Sequence, residues 1–325
     1  MTTSIGSSRA LRRALSVSVL LLTASAAACS DSATEPVPNP APGDTATYDL
    51  VYEQSLVPLN ASELRFRRHG ETTGEPLFGQ QIVGNEPSVS ADGRTIVYQG
   101  YGGVAGDDQD LWIVRAGQAP QRVPLPAGDV EFAPAISPDG QHLAFIRLGE
   151  DGNTQLWVAR LDGSERRHLS PDNGATATAN SSPAWSRDGQ RIAWAHGAPG
   201  AMRINIIRPD GTARQVVSAG VAGGSDLDAE WSPDGTRLVF VRTPNPGASD
   251  LVVLTLASGQ ERAFGFPKRS RHPAWSPDGA TILFASTLKL TDADYELYRV
   301  KPDGTELTQL TDDDINQRNP AFVKR

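Results

Sequence analysis

An all-β fold of six four-stranded blades in a propeller follows from three observations. The chain repeats a short turn signature about every 47 residues. Each repeat contains short apolar runs bounded by Asp-Gly or Ser-Gly turns. The two chain ends supply complementary parts of one further repeat.

The signature is complete as Pro273-Ala274-Trp275-Ser276-Pro277-Asp278-Gly279. Near-copies run Pro87–Gly93, Pro134–Gly140, Pro183–Gly189 and Ala229–Gly235. The closing glycines stand at 93, 140, 189, 235 and 279, spaced 47, 49, 46 and 44 residues apart. Each signature reads as the innermost strand of a blade. Its Asp-Gly allows the positive φ of a tight turn. A second, doubly buried strand follows at once: Ile96-Val97-Tyr98, Leu143-Ala144-Phe145, Ile192-Ala193-Trp194, Leu238-Val239-Phe240 and Ile282-Leu283-Phe284. Third strands lie at Leu111–Val114, Leu156–Val158, Ile204–Ile207, Leu251–Leu254 and Leu297–Val300. Short polar segments such as Arg167–Leu169 suit an outer edge, where charge discourages pairing between molecules.

Five blades are thus contiguous and the sixth is split. Asn319–Val323 supplies its innermost strand, Asp49–Tyr52 the second, Glu63–Phe66 the third and Leu77-Phe78 the outermost. Joining the N- and C-terminal strands in one sheet closes the ring. A seventh blade would need another signature, and none is present.

Residues 1–28 read as an export signal, with Arg9, Arg12 and Arg13 ahead of the apolar stretch Ala14–Thr23 and then small residues. Cys29, the single cysteine, stands at the cleavage point and excludes an internal disulfide or a cysteine-based metal site. The arrangement is similar to a bacterial lipoprotein signal, with Ser30 resembling the default outer-membrane address. Ala26-Ala27-Ala28 also fits ordinary cleavage, which leaves a soluble periplasmic form open. Residues 29–47 form a Pro/Ser-rich tether, with prolines at 36, 38, 40 and 42. The propeller occupies 48–325. Without the signal's three arginines, 27 basic residues face 38 acidic ones, a net charge of −11. That excludes nucleic acid as a general partner.

The repeated aromatic-Ser-Pro-Asp-Gly, followed by Leu-Trp or Leu-Tyr strands, resembles the TolB-type repeat, a WD40-like repeat also called PD40, over residues 48–325. The resemblance implies a six-bladed propeller whose central funnel binds a protein. TolB itself is a soluble periplasmic component of the Tol-Pal system with an α/β domain before its propeller. The short tether and Cys29 depart from that pattern, so the chain reads as a TolB-like lipoprotein and not as TolB itself. Dipeptidyl-peptidase-type enzymes share the repeat, but no G-x-S-x-G nucleophile elbow occurs here.

No catalytic, metal or cofactor set emerges. Trp185, Trp231 and Trp275 read as packing between blades. The aspartates of Asp-Gly read as turn formers, and Asp107-Asp108, Asp292 with Asp294, and Asp312–Asp314 as solvated loop residues. Of the five histidines only His272 falls at a channel-facing position. The informative residues begin each inner strand: Glu86, Ala133, Ser182, Asp228, His272 and Asn319, preceded by Asn85, Phe132, Arg271 and Arg318. The expected rim has Glu86 and Asp228 on one side and Arg271, His272 and Arg318 on the other. Lys268–His272 is the one basic run and would steer an acidic partner. The sequence therefore predicts a monomeric, non-catalytic envelope module with Glu86, Asp228, Arg271, His272, Arg318 and Asn319 at its binding rim. The partner is a cell-envelope protein, and the membrane is touched only through Cys29. The alternative is a lyase or hydrolase acting on a saccharide in the channel.

Overall fold

The computed structural model describes residues 48–56, 61–101, 109–126, 129–170, 178–245, 248–266, 268–288, 294–312 and 315–323. The residues read as export signal, Cys29 and tether lie outside the described residues. Six four-stranded antiparallel sheets form the six blades. Their inner strands are Gly84–Val89, Val130–Ile136, Ala179–Trp185, Ser225–Trp231, Ser270–Trp275 and Gln317–Val323, in blades one to six. Each inner strand touches the next, and the sixth touches the first, so the ring is closed in chain order.

Blade six carries the predicted closure. Its strand order is Gln317–Val323, Asp49–Leu56, Ala61–Arg67, Glu75–Pro76, with Leu50 opposite Phe322 and Val51 opposite Ala321. One detail differs from the sequence reading. The outermost strand is Glu75–Pro76, whereas Leu77–Gly79 is a 3-10 turn in which Phe78 takes φ 53°. Burying Leu77 between blades six and one needs that turn, so the two apolar residues leave the sheet edge.

The core is divided among the blade interfaces. Six clusters of buried apolar residues each join two neighbouring blades. The aromatic ending each second strand fills these seams: Phe145, Trp194, Phe240 and Phe284 are all at most 2% exposed. Burying a side chain of that size from water contributes roughly 1.5–3 kcal/mol. Two of the three signature tryptophans bond to the blade before their own, while Trp275 packs there with its Nε1 buried and unbonded. Trp185 Nε1 donates to Ala135 O at 3.0 Å and Trp231 Nε1 to Ala184 O at 3.1 Å. This is the packing role predicted for them.

The Ser-x-Asp-Gly turn works identically in all five contiguous blades. In blade four, Ser232 Oγ donates to Asp234 Oδ1 at 2.6 Å and accepts from Arg237 N at 2.9 Å, while Asp234 Oδ1 accepts from Thr236 N at 3.0 Å. Gly235 takes φ 67°, which suits glycine because a Cβ there clashes with its own backbone. These hydrogen bonds hold the Asp234 carboxyl down at about 2.

Candidate functional site: the central funnel

The middle of each inner strand breaks the sheet pattern. Glu86, Ala133, Ser182, Asp228, His272 and Asn319 all have φ between 47° and 52°. None is glycine. Each sits in a β-bulge, where the register with the second strand shifts, as between Asn85 and Ser88 or between Arg271 and Ala274. In five blades the next residue is proline. Proline has no N–H to lose, so the unpaired bulge position accommodates it. Left-handed backbone at a non-glycine residue costs about 1–3 kcal/mol and persists only where the surroundings enforce it. Six such residues, one per blade, form a half-buried ring.

The ring opens onto a cavity of about 490 Å³ along the propeller axis, lined by the inner strands of all six blades. Glu86, Asp228, Arg271, His272 and Asn319 line it directly. Arg318, half-buried next to Asn319 on the same strand, is close enough for its charge to bear on His272.

Neighbouring rim residues are linked across blades. Glu86 Oε2 accepts from Ala133 N at 2.7 Å. Ser182 Oγ donates to Asp228 Oδ1 at 2.8 Å. Asp228 Oδ2 lies 3.8 Å from His272 Nε2. Asn319 Nδ2 donates to Glu53 Oε2 at 2.6 Å, and Ser62 Oγ donates to Glu53 Oε1 at 2.7 Å. The expected division into an acidic and a basic side is therefore corrected. Because the blades follow in chain order, Glu86 and Asp228 stand three blades apart, and Asp228 is paired with His272.

Burial pushes the Glu86 carboxyl up to about 7; the Ala133 N–H opposes this, while the charges of Asp228 and Glu53 add to it. Burial likewise lowers the His272 imidazole, against the pull of Asp228 and Glu53. A quarter of that side chain is exposed, yet its Nδ1 is sealed off without a hydrogen-bond partner. Charges of both signs thus face the funnel: Glu53, Glu86 and Asp228 beside Arg271 and Arg318.

Three residues of this channel escape a reading of the sequence by motif. Glu53 belongs to the second strand of blade six, not to the repeated signature. Glu230 lines the cavity where the other blades have Ala or Ser, and burial pushes its carboxyl up to about 8. Arg187 replaces the Pro or Ala of the turn and lowers Glu230 by its charge. Aligning the repeats and asking where each departs from the others would have found the last two. The remaining histidines do not line the cavity. Among the described residues, no group of three His, Cys, Asp or Glu side chains is placed to hold a metal ion.

The family described as TolB beta propeller domain matches residues 79–324. The chain belongs to that family. A Protein TolB homolog of Chlorobium luteolum is 29% identical over 181 residues, covering 55% of this chain and 38% of the relative. The chain thus spans well under half of that relative's length. Among solved structures, TolB from Acinetobacter baumannii superposes with a TM-score of 0.68 at 16% identity, over 86% of this chain and 67% of that one. An oligogalacturonate lyase of Vibrio parahaemolyticus gives 0.53 at 14% identity, over 77% and 71%. At such identities the likeness to both structures is one of fold, and one fold hosts many functions.

Proposed function

We propose that this TolB-like propeller is a non-catalytic binding module of the cell envelope, whose funnel takes a segment of a protein partner. The supporting observation is the strained ring. Six non-glycine residues hold left-handed backbone around one cavity, and their side chains differ from blade to blade while the rest of the signature repeats. Strain maintained around a channel supports a functional reading of it. Glu86, Asp228, Arg271, His272, Arg318 and Asn319 form the contact surface in this reading. The mixed charge favours a polypeptide over a uniform polyanion.

In the same proposal the chain is exported by residues 1–28 and lipid-anchored through Cys29, with residues 29–47 as tether. It acts as a monomer at the outer membrane, facing the periplasm or the cell surface. Metabolic labelling with a fatty-acid analogue tests the anchor. Label on wild type and none on Cys29→Ser is expected, and an unlabelled wild type makes it a soluble periplasmic protein.

The binding role is tested by capture from envelope extract with wild type and with the variant Glu86→Ala, Asp228→Ala, Arg271→Ala. A partner held by wild type and lost from the folded variant is the expected result. Capture by neither, together with binding or cleavage of an envelope polysaccharide, would replace this reading with saccharide chemistry.

A further inference from the structure

Two arginines at the rim share one support and lack an acidic partner. Arg271, on the inner strand of blade five, donates from Nε to Tyr295 Oη at 3.0 Å. Arg318, on the inner strand of blade six, places Cζ 4.9 Å from the centroid of the same ring. Tyr295 is buried in the seam between those blades, beside Tyr52, Ala285 and Leu297, and its backbone N–H donates to Asn316 Oδ1 at 2.8 Å. One fixed tyrosine therefore holds two guanidinium groups from adjacent blades. Both charges act on His272, which lies between the two arginines in the chain.

Arg242 shows what a satisfied arginine looks like in this fold. It donates to both oxygens of Asp226, at 2.7 and 3.0 Å, and to Glu261 at 2.7 Å. Among the described residues, Arg271 and Arg318 make no such ion pair. Arg318 Nε is buried without an acceptor. The nearby carboxylates are otherwise engaged: Glu53 with Asn319 and Ser62, Asp228 with Ser182 and His272. Two guanidiniums held by one ring without a carboxylate keep uncompensated charges of the same sign. A carboxylate accepting from their terminal nitrogens compensates these charges, because its two oxygens match the planar fork of arginine.

Charge decides between carboxylate and phosphate. Glu53, Glu86 and Asp228 surround the same funnel, in a chain of net charge −8. A dianion is repelled on approach more strongly than a single carboxylate on a neutral or cationic peptide. We propose that Arg271 and Arg318, positioned by Tyr295, form a carboxylate-binding subsite for an acidic side chain or C-terminus of the peptide segment that enters the funnel. This rests on the protein-binding reading above and specifies the chemistry of the segment.

The test follows the arginine Nε–Hε resonances of the full-length chain by NMR during four titrations. N-acetylglutamate amide presents a side-chain carboxylate and N-acetylglycine a terminal one. N-acetylglutamine amide is the neutral control, and inorganic phosphate is the competing anion. At least one acid is expected to shift the Arg271 and Arg318 signals, with the better of the two naming the source, while the neutral amide leaves them in place. Arg271→Gln with Arg318→Gln, which lacks both signals and is followed by the backbone amides of the rim, is expected to weaken acid binding about tenfold or more, the loss of one to two charge-assisted hydrogen bonds. Tyr295→Phe keeps the ring but frees Arg271, so the Arg271 signal is expected to move before any ligand is added while the Arg318 signal stays. Equal shifts from the neutral amide, tighter binding of phosphate, or unchanged acid affinity in the folded double variant would each overturn the proposal. Should the double variant not fold, Arg271→Gln alone, at an exposed position, carries the same test. A captured protein that binds wild type and the arginine variant equally would defeat the subsite and leave the protein-binding role standing. Acid binding without any captured protein would do the reverse.

Discussion

The bulge that forms the rim and the turn that closes each inner strand obey opposite rules. At the turn, Ser, Asp and Gly recur in every contiguous blade, and positive φ falls on glycine. At the rim, positive φ falls on Glu, Ala, Ser, Asp, His and Asn, which repeat nowhere. The turn lowers the energy of the fold by local hydrogen bonds, whereas the rim raises it. The structure holds the costly rim in place through bulges, prolines and bonds between blades. Repetition therefore marks what builds the propeller, and departure from repetition marks what the propeller presents.

Substitutions test this contrast, beginning where the cost is greatest. Trp231→Ala, next to the turn, removes a side chain that is 3% exposed and its bond to Ala184 O. Its loss is expected to cost about 3–5 kcal/mol in urea unfolding. A comparably large loss on Asp228→Ala, at the rim of the same strand, would erase the distinction between rim and turn.

Ser232→Ala is expected to cost about 0.5–1.5 kcal/mol, since it leaves the exposed Asp234 and the half-buried Arg237 N–H without their shared partner. The same denaturation experiment on Ser182→Ala, at the rim of blade three, should give a smaller loss.

The pH dependence should run in opposite directions at turn and rim. The Asp234 carboxyl is depressed to about 2, so its stabilisation is present above the ordinary carboxylate range and is lost as pH falls towards 2. The Glu86 carboxyl is raised from 4.5 to about 7. Between those values the folded chain binds more protons than the unfolded one, so this group makes stability fall as pH rises. Glu86→Gln is expected to flatten the melting temperature profile between pH 5 and 7 relative to wild type. An unchanged profile would mean that Glu86 titrates in its ordinary range.

The smallest effect is a change of sign within blade two. Ala133 has φ 49° and Gly140 φ 67°. Ala133→Gly should stabilise by up to about 1 kcal/mol, and Gly140→Ala, where a Cβ meets nothing within 4 Å, should destabilise by about the same amount through backbone strain alone. Two changes of the same sign would show that the rim residue is not strained.

Periodicity explains why most of the fold was legible in the sequence. Asp-Gly turns, aromatic-ended strands and two complementary half-repeats specify blades, their number and their closure, because each acts locally or between neighbours. The rim positions were legible by the same alignment, since five stand a fixed distance before Ser-x-Asp-Gly and Asn319 precedes Pro320 as the others precede Pro or Ala. Their pairing was not. That Asp228 meets His272, and Glu86 meets the Ala133 N–H, depends on which blade adjoins which and on the bulge that turns each side chain inward. Glu53 was hidden because it reaches the rim from the second strand of the split blade. Tyr295 was hidden because nothing in its local sequence signals that two arginines from other strands converge on it. Leu77-Phe78 was misread because alternation alone does not tell an edge strand from a turn that buries one residue.

The central claim is that a partner engages the rim of the channel and not the turns. A photoreactive amino acid placed at Ala133 in the rim, and separately at Ala280 in the turn of blade five, tests it directly in intact cells. Both sites lack a functional side chain of their own. The account predicts a discrete crosslinked protein from position 133 and none from position 280. The same adduct from both positions, or from position 280 alone, would contradict it.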